Sequence, residues 1–255
     1  MGHHKLKRFA ENLTFGNLFQ VGFEQLEQEG FALRGRWHEH FGNDNPITLE
    51  LGCGKGDYTL ALARIHPERN FIGVDIKGAR LWRGAKTAIE EPLPNVAFIR
   101  TRIELIDRFF GPGEVSEVWV TFCDPQPKKP GKRLTSPRFL ATYRRFLATG
   151  STLHLKTDSQ ELYEYTLNEV LPNEECTVLF STADLYNTPY EGEAKLVQLP
   201  GTWGLFEVMN NHAPIISSMK QGKVRLVTDS GEEHTYDIRG GVVKGQQNDL
   251  LILVQ

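Results

Sequence analysis

A chain of 255 residues, 40% apolar and 24% charged, holds enough material for one large core or for a medium domain followed by a small one. Its formal charge of −3 excludes a protein that binds polyanions over its whole surface and leaves only local basic clusters as candidates for nucleic-acid contact. Cys53, Cys123 and Cys176 stand far apart without C-x-x-C spacing, so neither a disulfide framework nor a metal site is predicted, and a reducing, cytoplasmic setting fits.

Nowhere do eighteen apolar residues run together, and the start MGHHKLKRFAENL carries charge with no apolar stretch behind it, so neither membrane insertion nor secretion is predicted. From residue 47 the chain alternates apolar runs with amphipathic segments, the pattern of parallel strands joined by helical crossovers. ITLEL (47–51) reads as a strand, YTLALARI (58–65) as a helix and NFIGVDI (70–76) as a second strand. ARLWRGAKTAIEE (79–91) is the next helix and VAFIRT (96–101) the third strand. EVWVTFC (117–123) and STLHLKT (151–157) are expected as buried strands, separated by the helix SPRFLATYRRFLA (136–148), with Ser136 as its cap and Pro137 at its first position. SQELYEYTLNEVL (159–171) is a further helix, and CTVLFST (176–182) is expected to close the sheet as a strand. After residue 188 the texture changes to short β-rich runs such as AKLVQL, LFEVM, KVRLVT, EHTYDI, GGVVKG and LLILVQ, separated by turn signals. The fold class is therefore α/β, an open, doubly wound, mostly parallel sheet, followed by a small antiparallel β-sandwich.

Ligands of open α/β sheets sit at the carboxyl ends of the strands, where LELGCGKGDY (49–58) falls. Gly52, Gly54 and Gly56 allow a sharp turn and close approach to the amides that open the next helix. A dinucleotide fingerprint would need glycine where Asp57 stands, and a P-loop would need a G-K-[ST] ending. Glu50 before the loop and Asp75 at the end of the second strand would repel phosphate but suit a cationic amino group and ribose hydroxyls, which S-adenosylmethionine offers. The stretch 127–145 holds seven Lys or Arg and no acid, a local excess that could grip RNA phosphates, with Lys5, Lys7 and Arg8 as a second contact. His66 and His154 read as structural.

LELGCGKGDY, NFIGVDIKGAR, VTFCDPQPKKPGKRLTSPRFL and LHLKTD together resemble the bacterial tRNA (guanine-N7)-methyltransferase family over residues 1 to about 187. The family usually has D-P-W-P-K-K where this chain has Asp124-Pro-Gln-Pro-Lys-Lys, so Gln126 replaces a tryptophan. The resemblance implies a class I methyltransferase using S-adenosylmethionine and acting on tRNA. Glu50, Gly52, Gly54, Gly56, Asp75 and Thr101 would form the donor site, and Asp124 the catalytic carboxylate. Lys128, Asp158, Thr188 and Glu191 would lie on the base side, with Lys129, Lys132 and Arg133 on the RNA backbone. Guanine N7 carries a lone pair and no proton, so the transfer needs alignment and charge stabilisation more than a general base. The family's D-A-x-E pattern after the third strand reads here as Thr101-Arg-Ile-Glu104, where the Thr101 hydroxyl can serve the adenine edge.

LVQLPGTWGLFEVMNNHAPIISSMKQGKVRLV and GGVVKG resemble the N-terminal β-sandwich of the ATP synthase epsilon subunit, which implies a noncatalytic coupling module with rotor subunits as partners. The boundary is expected near residue 188, giving a methyltransferase domain (1–188) without its last helix and strand and a sandwich (189–255) without its first strand. A vacancy at the sheet edge would leave CTVLFST poorly paired, unless that run or AKLVQL fills it. Other readings are an adenine-N6 or protein methyltransferase, against which DPQPKK offers lysines where an aromatic is common, and a noncatalytic assembly subunit in which the sandwich is the working part.

Overall fold

The computed structural model describes residues 2–183, 192–246 and 248–254. The chain divides into two compact units, Met1–Glu174 and Glu175–Gln255.

The first unit opens with α1 (Gly2–Asn12), the two-residue strand β1 (Leu18–Phe19), α2 (Phe23–Gln28) and α3 (Trp37–Phe41). Strands and helices then alternate as β2 (Ile47–Leu51), α4 (Asp57–Ile65), β3 (Asn70–Asp75), α5 (Gly78–Glu90) and β4 (Val96–Arg100). They continue as β5 (Val115–Thr121), α6 (Pro137–Tyr143), β6 (Leu147–Lys156) and α7 (Gln160–Glu164), which runs on as a π-helical turn through Val170. The sheet order is β1-β4-β3-β2-β5-β6, with every pairing parallel. The order reverses between β2 and β5, so the turn after β2 sits at the crevice where such sheets bind ligands.

Both faces of β2, β3 and β4 are covered, which explains their near-continuous apolar runs. One face packs Leu49, Leu51, Ile72, Val74, Ala97 and Ile99 against an aromatic layer around Trp37, Phe109 and Phe110. The other sets Phe71, Val96 and Phe98 under Leu60, Leu81 and Ala85 of α4 and α5. β5 and β6 depart from the fully buried strands expected of them. β5 alternates, with Glu117, Trp119 and Thr121 half-buried between buried Val118 and Val120, and β6 forms the sheet edge with no fully buried residue.

Two further expectations are corrected. The helix expected over 136–148 stops at Tyr143, because Phe146 drops into the core and Leu147 pairs with Val115 as the start of β6. CTVLFST is not a strand: residues 176–182 carry no regular structure, and Val178 and Leu179 are exposed. A run of β-formers becomes a strand only with a ladder partner, and among the described residues this run forms no ladder. AKLVQL does not fill the sheet edge either, since Leu196–Gly201 pairs in the other sheet. α1, β1, α2 and α3 carried no signal strong enough to read.

The second unit comprises β7 (Leu196–Gly201), β8 (Gly204–Met209), β9 (Ile215–Met219), β10 (Gly222–Val227), β11 (Glu233–Ile238), β12 (Gly241–Gln246) and β13 (Asp249–Val254). They form an antiparallel sheet in the order β11-β10-β7-β9-β12-β13, with β8 on β7. It curls around Val197, Leu199, Met219, Val224, Leu226, Ile238 and Val243. β9 was missed in the sequence because IISSM places serines among its apolar residues.

Among the described residues no helix is long and apolar enough to cross a membrane.

Gly84 fixes α5 against the turn after β2: a Cβ there would stand 2.5 Å from Lys55 O and 2.7 Å from the Phe98 ring. In an open helix, Gly to Ala would add about 1 kcal/mol of stability. Here the crowding of backbone and a buried ring reverses the sign, and Gly84→Ala should cost about 1–3 kcal/mol in urea unfolding. A raised unfolding midpoint would contradict this packing.

Candidate active site

Because the strands are parallel, the turns that follow β2, β3, β4, β5 and β6 leave the sheet at one edge. The first runs from β2 into α4. Gly52, Gly54 and Gly56 adopt φ of 78°, 62° and 76°, the left-handed region that side chains disfavour. Nothing lies within 4 Å of a Cβ built on Gly52 or Gly54, so the space above them is open, whereas one on Gly56 would meet the Phe98 ring at 2.5 Å. The amides of Gly52 and Cys53 donate to Val74 O at 2.8 and 3.0 Å, tying the turn to β3.

Asp75 ends β3 and stands 8% exposed. Its two carboxylate oxygens accept from Gly54 N at 3.0 Å and Lys77 N at 2.7 Å, joining the turn after β2 to the turn after β3. A carboxylate offers about four acceptor sites, so hydroxyl donors can still be received. Thr101, buried just after β4, donates its amide to Asp75 O at 3.3 Å. Ile76, 52% exposed beside Asp75, adds an apolar surface that sequence reading missed; an apolar residue straight after a strand-ending acid was the available signal.

Glu50 is placed differently from the other donor-site candidates. It is 5% exposed, receives Thr59 N at 2.9 Å and the Thr121 hydroxyl at 2.7 Å, and is also bonded by the Thr59 hydroxyl. It braces the first turn of α4 from the neighbouring strand and links it to β5. Burial pushes its carboxyl above the usual range, against the pull of those threonines.

On the other side of the switch point, Thr121 pairs with Lys156, and Asp124 and Asp158 follow on adjacent turns, both exposed. Asp124 accepts Gln126 N at 3.0 Å, an Asx turn. Phe122 and Gln126 flank it with φ of 46° each. Holding a non-glycine residue there costs about 1–2 kcal/mol, a local cost that accumulates at functional turns.

The basic stretch splits in two. Lys128, Lys129 and Lys132 are exposed and have no carboxylate at ion-pair distance among the described residues. Arg133 is not with them: its side chain is 3% exposed, its Nε donates to Pro125 O at 3.0 Å, it pairs with Glu161, and it lies 4.3 Å from the Tyr165 ring. It pins the loop from beneath. Arg144 pairs with Glu174 at 2.6 Å and Arg145 with Asp107 at 2.8 Å. Thr188 and Glu191 lie outside the described residues, as do the side chains of residues 2–5.

A second cluster sits on the sheet face behind the site. Glu117 is met by Arg69 at 2.5 Å, His154 Nε2 at 2.8 Å and the Trp119 indole N–H at 3.1 Å. The Trp119 and His154 rings stack at 3.9 Å. His154, read as structural, is so placed. Among the described residues no group of His, Cys, Asp and Glu could hold a metal ion.

A family model described as "Putative methyltransferase" matches residues 44–198, and one described as "ATP synthase, Delta/Epsilon chain, beta-sandwich domain" matches residues 173–255. A tRNA (guanine-N(7)-)-methyltransferase of Bacteroides fragilis is 50% identical over 189 residues, 74% of this chain and 75% of that protein. The enzyme of the same name from Christiangramia forsetii is 53% identical over 190 residues, 73% of this chain and 84% of that protein.

Glu117 gives a pH dependence. Burial pushes its carboxyl up, but His154, Arg69 and Trp119 together bring it from 4.5 down to about 2. A depressed carboxyl contributes stability that is present above its unfolded pKa and lost as pH falls through the folded one, here at most about 3 kcal/mol. Glu50, shifted the other way, acts with opposite sign but equally in wild type and variant. The stability gap between wild type and Glu117→Gln in urea should therefore narrow as pH falls from 5 toward about 3. A gap independent of pH would contradict this assignment.

Proposed function

The chain belongs to the family of tRNA (guanine-N7)-methyltransferases, and on that premise we propose that it transfers a methyl group from S-adenosylmethionine to N7 of a guanine in tRNA. The observation that carries the reading is the turn after β2, three glycines at positive φ, two of them, Gly52 and Gly54, under open space, with a strand-ending carboxylate beside them. These features fit the donor: backbone free of side chains at Gly52 and Gly54 for close approach of its amino-acid end, Asp75 for its ribose hydroxyls, and Ile76 and Thr101 for its adenine.

When bound, the donor supplies a methyl on a sulfonium; the N7 lone pair forms the new C–N bond, the C–S pair returns to sulfur, and the base becomes cationic. The chain's own contribution is orientation and charge. Gly52 and Gly54 admit the donor, Gly56 lets the turn pack on Phe98, and Glu50 holds the α4 terminus and β5 in fixed register beneath it. Asp124, exposed at the adjoining turn, stabilises the positive charge that develops on guanine, with Asp158 from the neighbouring turn. Lys128, Lys129 and Lys132 position the RNA backbone, and Arg133 holds their loop. Thr188 and Glu191 complete the base side in this reading. We place the working boundary near residue 188, and the reaction belongs in the cytoplasm, where tRNA is.

A second role is favoured for the C-terminal unit by its own family match: the sandwich takes rotor subunits of an ATP synthase as partners. Retention of purified rotor subunits by the full chain supports it; no retention removes it.

Asp124→Ala should lower methylation of unmodified tRNA by about 10²-fold or more while donor affinity stays within about twofold, and the product should be 7-methylguanosine. Turnover unchanged in that variant, or a methyl group found on adenine, would overturn the reading.

A further inference from the structure

Phe122 breaks two local rules at once. It is 57% exposed, so its ring gains little from burial, and it sits at φ 46°, a conformation that glycine or asparagine adopts more readily. The backbone there is held firmly: its amide donates to Lys156 O at 2.8 Å, and the preceding Thr121 is fixed to Glu50. The Lys156 ammonium lies 5.7 Å from the ring centroid. Two residues on is Asp124. Among the described residues of the turns after β5 and β6, 122–136 and 157–159, Phe122 is the one aromatic. A strained, solvent-facing ring beside the proposed catalytic carboxylate has no packing rationale.

Resting on the proposed function, we infer that Phe122 is the stacking platform for the target guanine. A base inside folded RNA must leave its stack before its N7 can meet the donor, and extruded bases are held on aromatic faces. The left-handed backbone turns the ring outward at the carboxyl edge, so the purine that lies on it is carried next to Asp124. Stacking orients the ring plane, and in-line transfer to N7 depends on that plane. Gln126, at the second left-handed position, offers no ring, so the work falls to Phe122.

The full-length protein tests this with Phe122→Gly, Phe122→Trp and Phe122→Tyr. Glycine tolerates the positive φ, so Phe122→Gly should unfold at the wild-type temperature or slightly above it and bind S-adenosylmethionine unchanged. Loss of the platform should weaken affinity for unmodified tRNA and slow single-turnover methylation at saturating donor by about 5- to 150-fold in combination. Phe122→Trp and Phe122→Tyr should restore most of both. The inference is overturned if Phe122→Gly binds and methylates as wild type does, if it loses donor affinity or melts early, or if the aromatic variants do no better than glycine. Failure of the wild type to methylate tRNA sinks the proposed function separately, and Phe122 is then judged on tRNA affinity alone.

Discussion

Asp75 joins two turns that would otherwise be independent. One carboxylate receives an amide from the glycine turn after β2 and another from the start of α5, so the two strand ends beside the switch point share a single anchor. Around it the backbone is shaped by what cannot be there. Side chains are disfavoured at Gly52 and Gly54 by their φ, at Gly56 by its φ and by Phe98, and at Gly84 by Lys55 O and Phe98. The result is an edge of side-chain-free backbone held by its own hydrogen bonds before any ligand arrives, so less ordering cost remains to be met on binding.

The parallel register then makes one edge serve for everything. Because β2, β3, β4, β5 and β6 all run the same way, Gly52, Asp75, Thr101, Asp124 and Asp158 emerge on the same side without any long-range fitting of loops. Glu50 ties the two halves together through Thr59 on one side and Thr121 on the other. The placement of the glycine turn, Asp75 and Thr101 to one side and of Asp124 and Asp158 after β5 and β6 follows from topology alone. The β5–β6 side is the less covered, with β6 at the edge of the sheet and left-handed residues flanking Asp124.

What could be read from the sequence was local in origin. Alternate glycines after an apolar run dictate the turn whatever surrounds them, and the spacing of strands and helices from residue 47 to residue 101 follows from burial on both faces. What could not be read depended on distant partners. The stretch 127–145 contains no acid, yet Glu161, Glu174 and Asp107 reach three of its four arginines, leaving the lysines and Arg138 as the open charges among the described residues. Glu50 looked available to a ligand because Thr59 and Thr121 are nine and seventy-one residues away. CTVLFST has strand composition, but composition supplies no neighbour to pair with. Phe122 gave no sign of its left-handed backbone, since nothing about phenylalanine suggests one.

Calorimetric titration of the purified full chain with S-adenosylmethionine tests the central claim most directly. The account predicts saturable binding of one molecule per chain, displaced by S-adenosylhomocysteine. A folded protein that takes up neither nucleoside would contradict it.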